Sequence, residues 1–268
     1  MNIKSELSGV SFALLGQVQS RQNTLFANMA SGKKINDATD GAAAQQIIDR
    51  LTSQVDGNRQ AINNVYSGIS LAQVAEGGLS NISEDVSRIR DLTIQSGSGI
   101  LNESDRNAIQ SEISQLQENI SHTIEQTNYA GKPLLSDNGA LTFQVGANSN
   151  QSVDVETNDM STQLSDILSI DITSGVSVDD ALSAADSAIE AISSFRSELG
   201  ATQNRLQSTA RNLSQSDVNL SMSRSRMQDL DYPQAASDAA IFNVQSQAAL
   251  SVQAQANQQQ GQVLSLLS

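Results

Sequence analysis

The composition of this chain favours an elongated helical protein over a compact enzyme. Its 268 residues are 38% hydrophobic but only 3% aromatic, whereas globular cores draw much of their area from aromatic side chains and thin helical packing does not. The formal net charge of -14 argues against nucleic acid as a partner. The absence of cysteine excludes disulfides and thiolate chemistry.

The first predicted element is an amphipathic helix over residues 7–30, because its apolar residues recur at three- and four-residue steps. The residues predicted to serve assembly on this helix are Leu14, Val18 and Leu25. Ser31-Gly32 is expected to end it, and the polar stretch 33–41 marks a first domain boundary.

The N-terminus does not resemble a secretory signal peptide. Glu6 and a single lysine do not form its positively charged n-region, so we expect any export to proceed without cleavage.

A longer helix is predicted over residues 47–94, where the three/four spacing of apolar residues is sustained. Its stripe begins at Ile47, and its predicted seam residues include Leu51, Ile62 and Ile69. Gly77-Gly78 indicates a weak or kinked turn. Glycines near residue 97 break the helix, Asn102 or Ser104 offers a cap, and a third helix is expected to end near residue 127.

The apolar period then changes from about 3.6 to 2, which is typical of strands. Leu141, Phe143 and Val145 alternate with polar residues, and Val153 and Val155 alternate again, so a small β-hairpin is predicted over about 141–155. Residues 156–175 carry a short, mixed pattern that indicates a further strand or turn.

The strongest pattern is a seven-residue repeat of apolar residues over 177–230, which predicts a very long helix. Its seam residues are Ile192, Leu199, Leu206, Leu213 and Leu220. Burial stabilises such residues only if another surface covers them, and the 47–94 helix is the expected partner.

A last helix is predicted over 235–267. Its candidate assembly residues are Ile241, Val244, Leu264 and Leu267. The first and last helices are too poor in apolar area to offset the entropy of ordering them alone, so we expect them to order on assembly.

No catalytic, cofactor or metal constellation is evident, and an enzyme is not expected. His122 is the single histidine and has no cysteine or second histidine with which to complete a metal site. Asp229 and Asp231 fit a helix-breaking cap better than an acid–base pair.

Arg88 and Leu92 are four residues apart and share a helix face, and we expect the third helix to bring Glu112 close to that face. The alternative is a solvated charged face with one exposed leucine.

Several sequence runs, taken together, resemble bacterial flagellin. In chain order they are SGKKINDA at 31–38, DGAA at 40–43, SRIRDL at 87–92, FQVGAN at 143–148, SRSRMQDLDY at 223–232, QAQANQ at 253–258 and the terminal LSLL. The resemblance implies a mainly α fold, a long antiparallel helical bundle or coiled coil with a small β-hairpin region and paired terminal helices. It implies an inner-core domain from 1–42 and 233–268 and an outer-core domain over 43–232, with no large variable domain.

The resemblance also implies a function, namely a structural subunit of the bacterial flagellar filament. Such a subunit is exported unfolded by the flagellar type III system and polymerises outside the cell into a helical, lumen-containing propeller for motility. The implied partners are other copies of the chain, an export chaperone, the filament cap and hook-junction proteins, without nucleic acid or membrane insertion. The matching face, Arg88, Arg90, Leu92 and Glu112, is implied to contact stacked subunits and Toll-like receptor 5.

A further hypothesis concerns the glutamine-rich end of the chain. Its neutral amide side chains would line the export lumen and would bind an unfolded chain passing through it only weakly. Its residues are Gln253, Gln255, Gln258, Gln259 and Gln262.

Two alternatives to a main filament subunit stay open. One is a minor flagellin or hook–filament junction protein, since the start lacks the family's Ile-Asn-Thr-Asn run and the chain ends in Ser268. The other, from a different class, is a signalling coiled-coil protein.

Overall fold

The computed structural model describes residues 3–173 and 177–265, and the described part is mainly α-helical, as predicted. The helices are α1 (Ile3–Ser31), α2 (Ala38–Ser96), α3 (Glu103–Gln126), α4 (Met160–Gln163), α5 (Ser165–Leu168), α6 (Val178–Gln228) and α7 (Tyr232–Ser265). The strands are β1 (Asn128–Tyr129), β2 (Lys132–Pro133), β3 (Gly139–Gln144) and β4 (Ser152–Thr157). Strands β1 and β2 pair antiparallel, and so do β3 and β4, with Leu141 opposite Val155.

Local sequence explains where several helices begin and end. Asn102 caps α3 through a complete capping box, in which its Oδ1 accepts from the Asp105 N–H at 2.9 Å and the Asp105 carboxylate accepts from the Asn102 N–H at 3.1 Å. Gly32 follows α1 with φ at 71°, a left-handed conformation that glycine adopts without strain. Asp231 Oδ1 accepts from the Gln234 N–H at 3.2 Å at the start of α7, which agrees with the cap interpretation.

The chain forms two compact units. The terminal unit comprises Met1–Val55 and Asn219–Ser268, and the middle unit comprises Asp56–Val218. This division falls inside α2 and α6, whereas the family resemblance implied boundaries at residues 42 and 232. No loop marks the observed division, so the sequence pattern offered no signal for it.

In the middle unit α2 and α6 run antiparallel. Three polar pairs between the helices show this, because the residue numbers increase along α2 while those of the partners decrease along α6. The pairs are Arg59–Asp217 at 3.5 Å, Glu76–Gln203 at 3.1 Å and Arg90–Asp186 at 2.7 Å. Among the predicted seam residues Ile69, Ile192, Leu199 and Leu206 are buried, and Ile62 and Leu213 are half-buried. Leu51 and Leu220, which belong to the terminal unit, are also half-buried.

Two expectations about α2 were wrong. The stripe begins at Ile48, which is 2% exposed, whereas Ile47 is 38% exposed. The expected weak or kinked turn at Gly77-Gly78 is not observed, because the non-helical dihedral angles within α2 fall at Gly41 and both glycines are helical. Gly78 is buried instead, and a Cβ there would lie 2.6 Å from Thr127 Oγ1, so this glycine permits close packing against the segment after α3.

The segment after β4 was predicted to be a strand or turn, but it forms the short helices α4 and α5. Its apolar side chains Met160, Leu164 and Ile167 are buried in the middle-unit core. Two glutamines of α3 hold the segment's backbone: Gln117 Nε2 donates to Ile167 O at 2.9 Å, and Gln110 Oε1 accepts from the Ile172 N–H at 2.9 Å. Side-chain hydrogen bonds therefore satisfy a backbone that lacks a strand partner.

The terminal unit consists mainly of α1 packed along α7. Val18 on α1 is buried, as are Ala235 and Ala239 on α7, and Gln22 Nε2 donates to Asn243 Oδ1 at 2.6 Å. Backbone bonds join the segments beside these helices, with Lys34 N 2.6 Å from Gln228 O. Nothing in the described helices is both long enough and apolar enough to cross a bilayer.

Candidate assembly and contact surfaces

The predicted contact face contains one ion pair between α2 and α3. Arg88 donates to Glu112 Oε1 from both Nε, at 3.0 Å, and Nη2, at 2.7 Å. Both side chains are about half exposed, at 54% and 48%. The predicted proximity of Arg88 and Glu112 is therefore observed, and the pair is accessible to a partner.

Arg90 does not belong to this pair, because it points to α6. Its Nε donates to Asp186 Oδ1 at 2.7 Å, and the hydrogen bond and charge of Asp186 raise the pKa of the Arg90 guanidinium. Asp186 was not among the predicted site residues. Finding it requires the register between α2 and α6, which neither helix specifies by itself.

Leu92 was predicted to belong to the contact face, and the alternative was a solvated face with one exposed leucine; its burial contradicts both. It is only 2% exposed and belongs to the middle-unit core, three residues from Ile89, which is fully buried. The four-residue spacing from Arg88 places the two residues close together on the helix but does not show that both are exposed. Leu92 belongs to the apolar stripe and packs inward, while the Arg88 side chain stays at the surface. Ile94 is the exposed apolar residue here, at 50%.

The terminal helices expose three of the five predicted assembly residues whose side chains the structure describes. Leu14, Ile241 and Val244 are 52%, 49% and 66% exposed, whereas Val18 is buried and Leu25 is half-buried. Further exposed apolar residues that the sequence analysis did not single out are Phe26, Leu250 and Val252. The side chain of Leu264 and the whole of Leu267 lie outside the described residues.

The contact between α1 and α7 uses mostly small residues of α7, together with the half-buried Phe242, which lines a cavity with Leu25 of α1. Ala235 and Ala239 are buried, and Ala249 and Gln253 are half-buried. Gln255 and Gln258 are exposed, and the side chains of Gln259 and Gln262 lie outside the described part of the chain. Exposed apolar side chains at helical spacing typically mark an interaction face.

Catalytic or metal chemistry finds no support in the described residues. His122 Nε2 lies 3.9 Å from Glu118 Oε1 with both side chains mostly exposed, and within residues 3–173 and 177–265 no three potential metal ligands of the His, Cys, Asp or Glu type come together. Asp229 Oδ2 accepts from Ser225 Oγ at 2.5 Å, one helical turn earlier. These side chains make local structural contacts.

A long helical unit and a terminal helix pair that exposes apolar residues are typical of helical proteins that assemble through such faces. Two family models match the chain: the bacterial flagellin N-terminal helical region over residues 11–140, and the bacterial flagellin C-terminal helical region over residues 182–267. Together they cover most of the sequence. The chain belongs to the bacterial flagellin family.

Curated flagellins are similar over the helical regions. The flagellin of Salmonella muenchen is 38% identical over 149 residues, which are 56% of this chain and 30% of that protein. The flagellin of Escherichia coli strain K12 is 41% identical over 138 residues, or 52% of this chain and 28% of the relative. For Serratia marcescens flagellin the identity is 40% over 142 residues, which are 53% of this chain and 40% of the relative. The chain thus matches less than half the length of each of these relatives.

Solved structures share the fold. Bacillus cereus flagellin superposes with a TM-score of 0.50 and 24% identity over 56% of this chain and 88% of that one. A putative flagellar hook-associated protein from Vibrio parahaemolyticus gives a TM-score of 0.61 with 14% identity over 71% of this chain and all of that chain. At these identities the similarity concerns the fold alone.

Proposed function

We propose that this chain is a structural, non-enzymatic subunit of the bacterial flagellar filament, located outside the cell, which polymerises with copies of itself into a helical propeller. The observation that carries the proposal is the exposed apolar face of the terminal helices in a chain of the flagellin family. Burying that face between copies would supply the free energy of assembly, at roughly 25 cal/mol per Å² of apolar area.

The same proposal extends to the path of assembly. The chain leaves the cell unfolded through the flagellar type III apparatus, assisted by an export chaperone, and joins the filament between the hook-junction proteins and the cap. Substituting leucine for the glutamines at positions 253, 255 and 258 tests the proposed lumen wall. Unchanged elongation of filaments made by the substituted protein would contradict that part.

The accessible Arg88–Glu112 pair is proposed, together with the separate Arg90–Asp186 pair, as a contact between stacked subunits and as the surface offered to Toll-like receptor 5. The half-exposed charged groups of both pairs suit a polar, reversible contact. Charge reversal at Arg88 should weaken receptor signalling by monomers, whereas reversal at the exposed Arg211 should not. Equal signalling by both variants would refute this assignment.

Deletion of residues 235–268 tests the main proposal. The deletion removes most of α7 and leaves the middle unit, Asp56–Val218, intact. We expect a soluble protein that retains much of its helical circular dichroism and forms no filaments when seeded. Filaments of normal appearance from the truncated protein would contradict the assembly role of α7.

A second candidate, a hook–filament junction protein, is favoured by the fold similarity to the putative hook-associated protein. Immunogold electron microscopy of flagella separates the two roles. Label along the whole filament supports the filament subunit, and label confined to the filament base supports the junction protein.

A further inference from the structure

The pairing of α1 with α7 buries little apolar surface. Among the residues of these helices whose burial the structure describes, only Val18, Ala235 and Ala239 are buried. The helices are 29 and 34 residues long, and each ordered residue costs conformational entropy. Because alanine contributes little apolar area, these contacts alone do not explain why α1 lies along α7 in one register.

Two connections of the chain meet beside these helices and are joined through their backbones. The connection between α1 and α2 lies against the connection between α6 and α7 as an antiparallel pair. The Lys34 N–H donates to Gln228 O at 2.6 Å, and the Leu230 N–H donates to Gly32 O at 3.0 Å. These bonds link parts of the chain that are almost 200 residues apart.

Tyr232, the first residue of α7, joins this pairing to the end of α1. Its hydroxyl donates to Met29 O at 2.6 Å, and the last carbonyls of a helix otherwise lack a partner within that helix. The tyrosine lies beside Gly32, whose φ of 71° favours glycine and where a Cβ would lie 3.6 Å from the tyrosine hydroxyl. We call residues 29–34 and 228–232 the clasp, since they hold the end of α1 against the start of α7.

Side-chain hydrogen bonds hold the connection between α1 and α2 in this position. Asn36 Nδ2 donates to Asn28 Oδ1, in the last turn of α1, at 2.9 Å. Asp40 Oδ2, in the first turn of α2, accepts from the N–H groups of Asn36 and Asp37 at 2.9 and 3.2 Å. The clasp is therefore braced by hydrogen bonds that do not depend on apolar contact between α1 and α7.

We propose that the clasp fixes the register in which α1 packs along α7 and so determines which apolar residues the helix pair exposes. The inference rests on the proposed assembly through those residues and adds the device that positions them. The hydrogen bond from Gln22 to Asn243, at 2.6 Å, continues the antiparallel pairing away from the clasp. A slip of α7 by one residue would turn its side chains by about 100° around the helix axis, which would redirect the exposed Ile241 and Val244.

The first test measures amide hydrogen exchange of α1 in the unpolymerised chain by mass spectrometry. The variant is Tyr232→Phe, which removes only the hydroxyl. The control is Tyr66→Phe, at a residue of α2 that is 58% exposed and whose hydroxyl has no hydrogen-bond partner in the described part of the chain. We expect Tyr232→Phe to accelerate exchange in α1, whose own sequence is unchanged, about two- to fivefold, and the control to match the intact chain. Equal exchange of α1 in the two variants would overturn the clasp.

The second test measures the critical concentration for seeded filament growth. We expect Tyr232→Phe to raise it about two- to fivefold over Tyr66→Phe. Gly32→Ala should also raise it, because alanine must then adopt a left-handed φ. Equal critical concentrations would overturn the link between the clasp and assembly. An intact chain that forms no filaments would refute the proposed function, and the exchange comparison would still decide whether the clasp holds α1 against α7.

Discussion

Two adjacent glycines of α2 should respond in opposite directions to the same substitution. A Cβ at Gly77 would meet nothing within 4 Å, whereas a Cβ at Gly78 would lie 2.6 Å from Thr127 Oγ1, 3.0 Å from Thr127 Cγ2 and 3.1 Å from Leu135 Cδ1. Both residues are in the interior of a helix, so alanine gains about 1 kcal/mol of helix propensity at either. Only Gly78→Ala also incurs the overpacking cost of about 1–3 kcal/mol.

The expected result is that Gly77→Ala raises the free energy of unfolding by about 1 kcal/mol, whereas Gly78→Ala lowers it by about 1 kcal/mol, the propensity gain subtracted from a mid-range overpacking cost. Thr127 cannot move away freely, because its hydroxyl donates to Thr123 O at 2.6 Å. Urea denaturation followed by far-UV circular dichroism measures both changes. Combining Gly78→Ala with Thr127→Ala should recover part of the loss. Equal stabilisation by the two single substitutions would refute the packing argument.

Three further predictions concern the contact face and the hairpin region. Leu92→Ala should lower the free energy of unfolding by about 2–5 kcal/mol, since Leu92 is buried; urea denaturation that shows a loss below about 0.5 kcal/mol would indicate a surface leucine. A double-mutant cycle on the half-exposed Arg88 and Glu112 should give a coupling below about 1 kcal/mol that shrinks with salt, and a larger, salt-independent coupling would contradict it. Burial and the neighbouring Glu156 raise the pKa of Glu198 above its usual 4.5, so the folded protein favours the protonated carboxyl. The stability that this protonated form contributes is lost as the pH rises from 4.5 through the folded-state pKa. Glu198→Gln should therefore raise the Tm at about pH 7 and not at about pH 4, and an equal rise at both would contradict the shift.

Periodicity predicted the helices and the hairpin because both depend on local spacing. The heptad from Ile192 to Leu206 and the alternation around Val153 and Val155 each mark one buried face, and these residues are buried. Where two adjacent apolar residues compete for the stripe, as Ile47 and Ile48 do, spacing alone does not decide which of them is buried.

Features that depend on how distant segments align with each other could not be predicted from the sequence. Arg90 meets Asp186 only because α2 and α6 pair at a particular offset. Gly78 is glycine because the chain after α3 passes close to it. The helices α4 and α5 have 4 residues each, which is too short for a periodic pattern. Gln117 of α3 holds the Ile167 carbonyl of α5 through a contact between distant segments.

The central claim is that copies assemble through the exposed apolar face of the terminal helices, and electron microscopy of seeded filaments tests it most directly. The variant is Ile241→Gln, Val244→Gln and Val252→Gln, at positions 49%, 66% and 60% exposed, with Ser237→Gln and Ser251→Gln as a control on exposed polar positions of α7. The account predicts filaments from the intact chain and the control but none from the apolar variant, with unchanged unfolding of all three. Filaments of equal length and number from the apolar variant would contradict it.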